Sequence, residues 1–520
     1  MERIPIPKKM EIHLTDSENE ICTLLDGCTK WMKEEKGVET SCRIAGGWVR
    51  DKASIQLLGS DSNDIDVALT DMMGLPFAEQ FQQYCNDVKG LPVEKVAKIE
   101  KNPARSKHLE TAKTTVLGVE LDFVNLRSEE YAEDSRIPTQ VEFGTPLQDA
   151  IRRDITINAL FYNVHSRSVE DHTEKGLEDL INGTIRTPLP PRETFMDDPL
   201  RVIRCIRFAS RFGFSFVEEL QTAARDPEIQ LALRTKISRE RVGEELDKMM
   251  KGRDPLRAIQ LIDELSLYTS IFHVPDDAAP AFSAPIASPH VGLAAASILH
   301  ILTNPSSVPD LCLPSLHPLL SSSVVHDQTT LRRLYLAAAL TPYRSVTYTH
   351  KNRIHLAVEA AIRDGVKLGI QNHYLDGIPA LFQAADLLET PRIGGERERQ
   401  TMAEEASKRI GLYNRFMSRA EELALPDTVD AKPILDGREV VRILGASKPG
   451  PWTGHVLSRV VEWQLDQPAG TKTQCEEWLK AEHVAGRVNF EVTPAFQVKR
   501  GRRDSQGSNM KKVKTDDSDH

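Results

Sequence analysis

Gly46-Gly47-Trp48-Val49-Arg50-Asp51, followed closely by Asp64-Ile65-Asp66-Val67-Ala68-Leu69, is the part of the chain from which the fold is read. A glycine pair ahead of a helix lets backbone amides approach a phosphate, and the helix dipole favours negative charge there. The second segment alternates acidic and apolar residues, as a half-buried strand does. Carboxylates at i and i+2 on a strand point to one face. Asp64 and Asp66 can therefore hold a hard cation such as Mg²⁺, which keeps phosphate oxygens and water as its remaining ligands. Asp122, in a second strand expected over residues 116–126, is the candidate third carboxylate. Either motif alone reads as a turn or a solvated strand edge. Together in one segment they point to metal-dependent phosphoryl chemistry.

Working outward, Ile21, Leu24, Leu25 and Trp31 lie roughly on one side of an amphipathic helix over 17–36. A short strand over 42–45 runs into the glycine turn, and 49–58 can be helical. Short strands and helices up to about residue 165 make one α/β domain. Helical patterns dominate 190–265 and resume over 330–485. Residues 274–325 are rich in Pro, Ser and Ala and read as a loop-rich insertion. At the end, Lys499-Arg500-Gly501-Arg502-Arg503 and Lys511-Lys512-Val513-Lys514 lie among Ser, Asp and Gly, a disordered tail that resembles a bipartite nuclear import signal and reads equally as a loose RNA-grasping tail.

Composition narrows the class. The chain has 520 residues, 40% hydrophobic and 27% charged, with a net charge of −10. No apolar run reaches the roughly 18 residues of a membrane span. A nucleic acid would have to meet a local basic surface on an acidic body. The seven cysteines form no CxxC pair, which argues against a disulfide scaffold or a zinc site. The first ten residues have no signal-peptide core and make a poor transit peptide.

Two further constellations carry chemistry. Arg152-Arg153-Asp154-Ile155-Thr156-Ile157-Asn158 places adjacent arginines where a triphosphate or ribose could sit; the plainer reading is a surface salt-bridge patch. In Asp197-Asp198-Pro199-Leu200-Arg201-Val202-Ile203-Arg204-Cys205-Ile206-Arg207-Phe208, Pro199 suits the first turn of a helix with an acidic cap before it. On a helical wheel Asp198, Arg201 and Arg204 share one arc, and Val202, Ile203 and Ile206 another. The plainer reading is an i,i+3 salt bridge on a solvated face.

The segments 46–66, 152–160, 176–188, 198–208 and 237–246 resemble, in order, the five motifs of the class II CCA-adding tRNA nucleotidyltransferases, members of the DNA polymerase beta superfamily. The stretch Asp122–Tyr131 and Lys448-Pro449-Gly450-Pro451-Trp452 resemble the eukaryotic, fungal-like branch. The resemblance implies an α/β N-terminal catalytic head of the polymerase-beta type, over 15–165, followed by all-α neck, body and tail. The implied boundaries are 166–265 for the neck, 266–380 for the body, 381–490 for the tRNA-binding tail and 491–520 for the disordered basic end. Asp64 and Asp66 would hold catalytic Mg²⁺, with Asp122 as an additional acidic residue. Gly46, Gly47 and Arg50 would meet the triphosphate, with Arg153 helping to bind the nucleotide. Asp198 and Arg201 would read the base, with Arg204 and Arg207 further along the same helix. The implied partners are tRNA, CTP and ATP, with no membrane. The implied compartments are nucleus and cytoplasm, and the mitochondrion through an alternative start. Residues 127–146 sit where the family has a flexible loop. Against the family pattern, Lys52–Gly59 is a longer connection between the phosphate turn and the metal strand.

Hydrogen bonding explains the implied base choice. A carboxylate only accepts and a guanidinium only donates. Cytosine and adenine each offer an amine beside a ring-nitrogen acceptor, whereas uracil and guanine offer a carbonyl beside a ring N–H. Rival readings are a poly(A) polymerase, a partial CC- or A-adding enzyme, and a non-catalytic RNA-binding protein, the last opposed by the intact Asp64/Asp66 pair. His326-Asp327 lacks a second histidine pair and reads as a surface loop rather than a phosphohydrolase site.

Overall fold

The computed structural model describes residues 12–58, 64–99, 111–131, 138–274, 281–304, 314, 315, 317, 318, 328–350, 353–368, 396–424 and 432–488. His326-Asp327 and the basic clusters at 499–514 lie outside these residues. The chain divides into two compact units, residues 1–413 and 414–520.

The first unit opens with helix α1, Asp16–Lys36. Thr15 and Glu18 form a capping box at its start, and Gly37 ends it in the left-handed region at φ 65°. Strand β1, Cys42–Ala45, leads through the glycine turn into α2, Gly47–Leu58, and then β2, Asp64–Leu69. Glu18 ties α1 to α2 by accepting from the Trp48 indole at 3.1 Å and pairing with Lys52 at 2.7 Å. Next come α3 (Gly74–Gln83), β3 (Ala97–Ile99), β4 (Thr111–Val116) and β5 (Val119–Asn125). The strand expected over 116–126 is thus β5 with the end of β4. Leu117 and Gly118, at φ 53° and 77°, turn the chain between them. A two-residue turn with positive φ at both positions matches strand twist, so the pair closes as a hairpin.

The main sheet runs β3-β4-β5-β2-β1-β8-β9, where β8 is Phe161–Asn163 and β9 Ser168–Glu170. β2 and β5 are parallel; the other neighbours are antiparallel. Phe77 and Phe81 of α3 pack on Phe123 of β5 with ring centroids 5.3 and 5.6 Å apart, sealing one face of the sheet. The segment expected as a flexible loop over 127–146 is instead largely a separate hairpin, β6 (Arg127–Tyr131) with β7 (Pro138–Phe143). It is followed by α4, Pro146–Ile151. The longer connection after Lys52 continues α2 to Leu58, and β2 still pairs in register with both β1 and β5.

Helices follow: α5 (Gly176–Asn182), α6 (Pro191–Asp197), α7 (Leu200–Phe212), α8 (Glu218–Ala224), α9 (Pro227–Thr235), α10 (Arg239–Met250) and α11 (Pro255–Glu264). Val202, Ile203 and Ile206 of α7 are buried, as the wheel predicts. The remainder is mostly helical. The expectation of an all-α remainder misses two small pairs, Thr184–Ile185 with Ser215–Phe216 and Thr347–His350 with Arg353–Leu356.

In the second unit Gly437–Ile443, Pro451–Asp466 and Lys472–Val484 are helices around Leu435, Val440, Val456, Val460, Cys475 and Leu479. Trp463 and Trp478 stack with centroids 6.0 Å apart.

Candidate active site

Asp66 lies on β2 directly opposite Asp122 of β5, and Asp64 opposite Glu120. Because strand side chains alternate, these four acidic positions share one face of the sheet. Asp66 is exposed; of Asp64 only the backbone is described. The antiparallel register of β4 with β5 places Lys113 opposite Asp122, and its ammonium lies 2.9 Å from Asp122 Oδ2. Lys113 also pairs with Glu120. Among the described residues no group of three or more His, Cys, Asp or Glu side chains is assembled as a metal cluster. The donors nevertheless suit a hard cation: they are carboxylate oxygens, and a cationic group already sits against Asp122.

The glycine turn follows β1 at the end that antiparallel pairing sets beside the start of β2, where Asp64 and Asp66 lie. Gly46 has φ 73°, and a Cβ there would fall 2.8 Å from a terminal nitrogen of Arg153. The left-handed backbone is what calls for glycine; the Arg153 guanidinium over the turn is the end of a flexible side chain and can move aside. Arg153 also donates to the Asn158 carbonyl at 3.3 Å and rests 5.2 Å over the Phe161 ring.

Arg50, expected at the triphosphate, faces inward. It is 4% exposed, pairs with Asp51 at 2.7 Å, donates to the Asn158 side chain, and lies 5.1 and 5.0 Å over Phe208 and Phe212. Placed so, it braces α2 against α7 and the Asn158 turn. Arg153 at the glycine turn and its neighbour Arg152 are half-buried, with side chains 19% and 20% exposed. Both are held by Asp149 of α4. Burial alone would raise the Asp149 carboxyl, but Arg153 and Arg152 more than reverse it and hold it at about 2.

Base-reading candidates occupy α7 and its approach. Asp198 lies before the helix, not on its wheel: its carboxylate accepts from the Leu200 amide at 3.2 Å. The same carboxylate takes Arg241 of α10 at 2.7 Å. Arg201 donates to the Arg152 carbonyl at 2.8 Å. Asp198 and Arg201 are thus adjacent at the start of α7 but hold different partners. The picture of two heads side by side on one helical arc is corrected, because Pro199 starts the helix after Asp198.

Arg204 and Arg207 run on along α7. Arg204 holds Asp154 at 2.8 Å, and Arg207 holds Glu245 of α10 at 2.5 Å. Burial pushes the Asp154 carboxyl up, but Arg204, Asn158 and Arg201 bring it down to about 2. Asp154 in turn accepts from the Asn158 amide at 3.0 Å. The site is therefore cross-braced by groups that sequence reading did not single out: Asp149, Asp154, Asn158, Arg241, Glu245 and Lys113. Asp154 and Asn158 stand inside a quoted motif, and Arg241 and Glu245 inside another. Lys113 carried no local signal, since only strand register brings it to Asp122.

Comparison with known proteins agrees with this arrangement. The family described as "Poly A polymerase head domain" matches residues 42–186, and "Probable RNA and SrmB-binding site of polymerase A" matches 228–278. The mitochondrial CCA tRNA nucleotidyltransferase of Saccharomyces cerevisiae is 37% identical, over 91% of this chain and 94% of that one. That of Candida glabrata is 36% identical, over 90% and 96%. A solved structure of a CCA-adding enzyme in apo form has the same fold, with TM-score 0.54, 21% identity and coverage of 89% of this chain and 96% of that one. With a polymerase-type head, its acidic strand pair and near full-length likeness to these fungal enzymes, the chain belongs to the CCA tRNA nucleotidyltransferases.

Proposed function

We propose that this protein adds C, C and A to the 3′ end of tRNA from CTP and ATP without a nucleic-acid template. The observation that carries the reading is the register of β2 on β5, which sets Asp64 and Asp66 beside Asp122 on the face of the sheet near the glycine turn. Solved CCA-adding enzymes of this fold include complexes with CTP and with ATP, which supports both nucleotides as substrates here.

The 3′ hydroxyl oxygen attacks the α-phosphorus in line; its proton leaves, and the bond to the β-phosphate oxygen breaks to release pyrophosphate. Asp64 and Asp66, with Asp122 beside them, would hold Mg²⁺, which when bound would lower the hydroxyl pKa and offset the charge on the leaving group. Gly46 and Gly47 leave room for the triphosphate against the backbone. Arg153 offers it a guanidinium, and Arg50 keeps α2 in place. Asp198 accepts from the exocyclic amine of cytosine or adenine, and Arg201 donates to the adjacent ring nitrogen. Arg204 and Arg207 hold α7 through Asp154 and Glu245. Among compartments the mitochondrion has support, from the names of the fungal relatives.

Replacing Asp64 or Asp66 with Ala tests the reading. Addition of both C and A should fall by at least about a thousandfold while the circular dichroism spectrum stays that of the wild type. A folded Asp66→Ala protein with near-normal turnover would rule out the assigned metal face.

A further inference from the structure

Three strands meet at Asp122. β5 carries it in the middle of the sheet. On one side the parallel register sets Asp66 of β2 opposite it. On the other side the antiparallel register sets Lys113 of β4 opposite it. The Lys113 ammonium lies 2.9 Å from Asp122 Oδ2 and also pairs with Glu120, two residues away on the same face. Lys113 and Asp122 side chains are 32% and 20% exposed, so the pair borders solvent at the acidic face and is not locked in the core.

A lysine at this place is not needed to fold the strand. The neighbouring β4 positions that fill the core are Ala112, Thr114 and Val116, which alternate with it. What Lys113 meets is the carboxylate row of β5. An ammonium beside a carboxylate offsets its charge, and it competes with any other cation for the same oxygen.

We propose that Lys113 is a positioning residue for the transfer reaction: a built-in counter-cation that keeps Asp122 in line with Asp66 and sets how much divalent metal the acidic face requires. The proposal rests on the reading of Asp64 and Asp66 as metal ligands. With Lys113 in place, Asp122 Oδ2 is shared with the ammonium, and a divalent ion at this face would bind against the repulsion of a nearby positive charge. Without it the face carries one more uncompensated negative charge and attracts the ion more strongly. Lysine is well suited because its ammonium is a single point charge on a flexible stem and can move aside.

The test measures Mn²⁺ binding to the full-length protein, without nucleotide or tRNA, by the loss of the free-ion electron paramagnetic resonance signal. The proteins are wild type, Lys113→Gln, Lys113→Arg, Asp66→Asn, Asp122→Asn and the Lys113→Gln/Asp122→Asn pair. The expected result is that Lys113→Gln binds Mn²⁺ roughly fivefold or more tightly than wild type at low salt. Lys113→Arg should stay near wild type, a rescue that a purely packing role would not predict. The gain from Lys113→Gln should shrink when Asp122 is Asn, because the competition acts through that carboxylate. Thermal unfolding run alongside identifies any misfolded variant, in which case Lys113→Arg against wild type and Asp122→Asn still reads the charge effect. Wild-type binding that is lost in Asp66→Asn but unchanged, or weaker, in Lys113→Gln overturns the role of Lys113 alone. Binding indifferent to Asp66→Asn overturns the metal face itself, and the proposal with it.

Discussion

Asp198 illustrates what a single side chain decides here. It is the residue proposed to accept a nucleobase amine, and in this structure it accepts from the Leu200 amide and from Arg241. Replacing it with Asn provides a donor beside the acceptor, which can meet a uracil or guanine carbonyl. Asp198→Asn should lower kcat/KM for CTP and ATP by roughly ten- to a hundredfold while lowering that for UTP and GTP less. Single-nucleotide incorporation into truncated tRNA checks this; an equal loss for all four would move base choice away from Asp198. Asp154 makes a different prediction. Its carboxyl is depressed to about 2, against an ordinary value of about 3.9 for the unfolded chain. A depressed carboxyl contributes stability that is complete above the unfolded pKa and is lost as pH falls through the folded one. The contribution, about 2 kcal/mol, should therefore vanish between roughly pH 4 and pH 2. Asp154→Asn, which leaves the Arg204 guanidinium without its charged partner, should cost about 3–5 kcal/mol at pH 7 and flatten the acid limb of a urea-unfolding series. An unaltered acid limb would show that Asp154 is not coupled to folding. At this scale Asp64 and Asp66 were visible from their spacing on one strand and the arginines of α7 from theirs on one helix, whereas Asp198 lies just before that helix. The partners were hidden, since Asn158 reaches Arg50 across 108 residues and Arg241 reaches Asp198 across 43.

Helix α10 is the element that holds α7, the helix proposed to read the base. Arg241 reaches Asp198 and Glu245 reaches Arg207, while Arg239 is buried and donates to the carbonyls of Gly365, Ser270 and Ile271. Gly243 lies so close to the chain at Val366 that a Cβ would fall 1.8 Å from that carbonyl oxygen. A backbone atom cannot swing aside, so the helix must shift. Gly243→Ala should destabilise the protein by about 1–3 kcal/mol, visible as a fall in Tm. The shift should also loosen the hold on Asp198, so nucleotide discrimination should decline in the protein that remains folded. A Tm equal to wild type would contradict the close packing. Elements were legible where one periodicity ran cleanly: α1 follows from its amphipathic side, β2 from alternation, and β1 and α2 from the glycine pair between them. The hairpin turn at Leu117-Gly118 was not, because apolar residues run through it and imitate one long strand. The Thr347–Leu356 hairpin was missed because its ten residues interrupt a long helical tract without Pro or Gly to mark it.

At the scale of the first unit, the mixed sheet carries the acidic row, and α7 and α10 hold the groups proposed to select the nucleotide. Only the order of the motifs along the chain carried this arrangement in the sequence; the buried cross-braces that join α4, α7 and α10 come from the folded structure. The central claim is that one protein supplies both the metal face and the nucleotide choice, with no template strand. The direct measurement is incubation of the purified wild-type protein with Mg²⁺ and tRNA lacking its 3′ CCA, offering each labelled nucleotide alone and then CTP with ATP, and resolving products at single-nucleotide length. The account predicts extension by two residues with CTP alone, by a further A when ATP is added, and negligible use of UTP or GTP. A run of A residues from ATP alone, or failure to incorporate C, would contradict it.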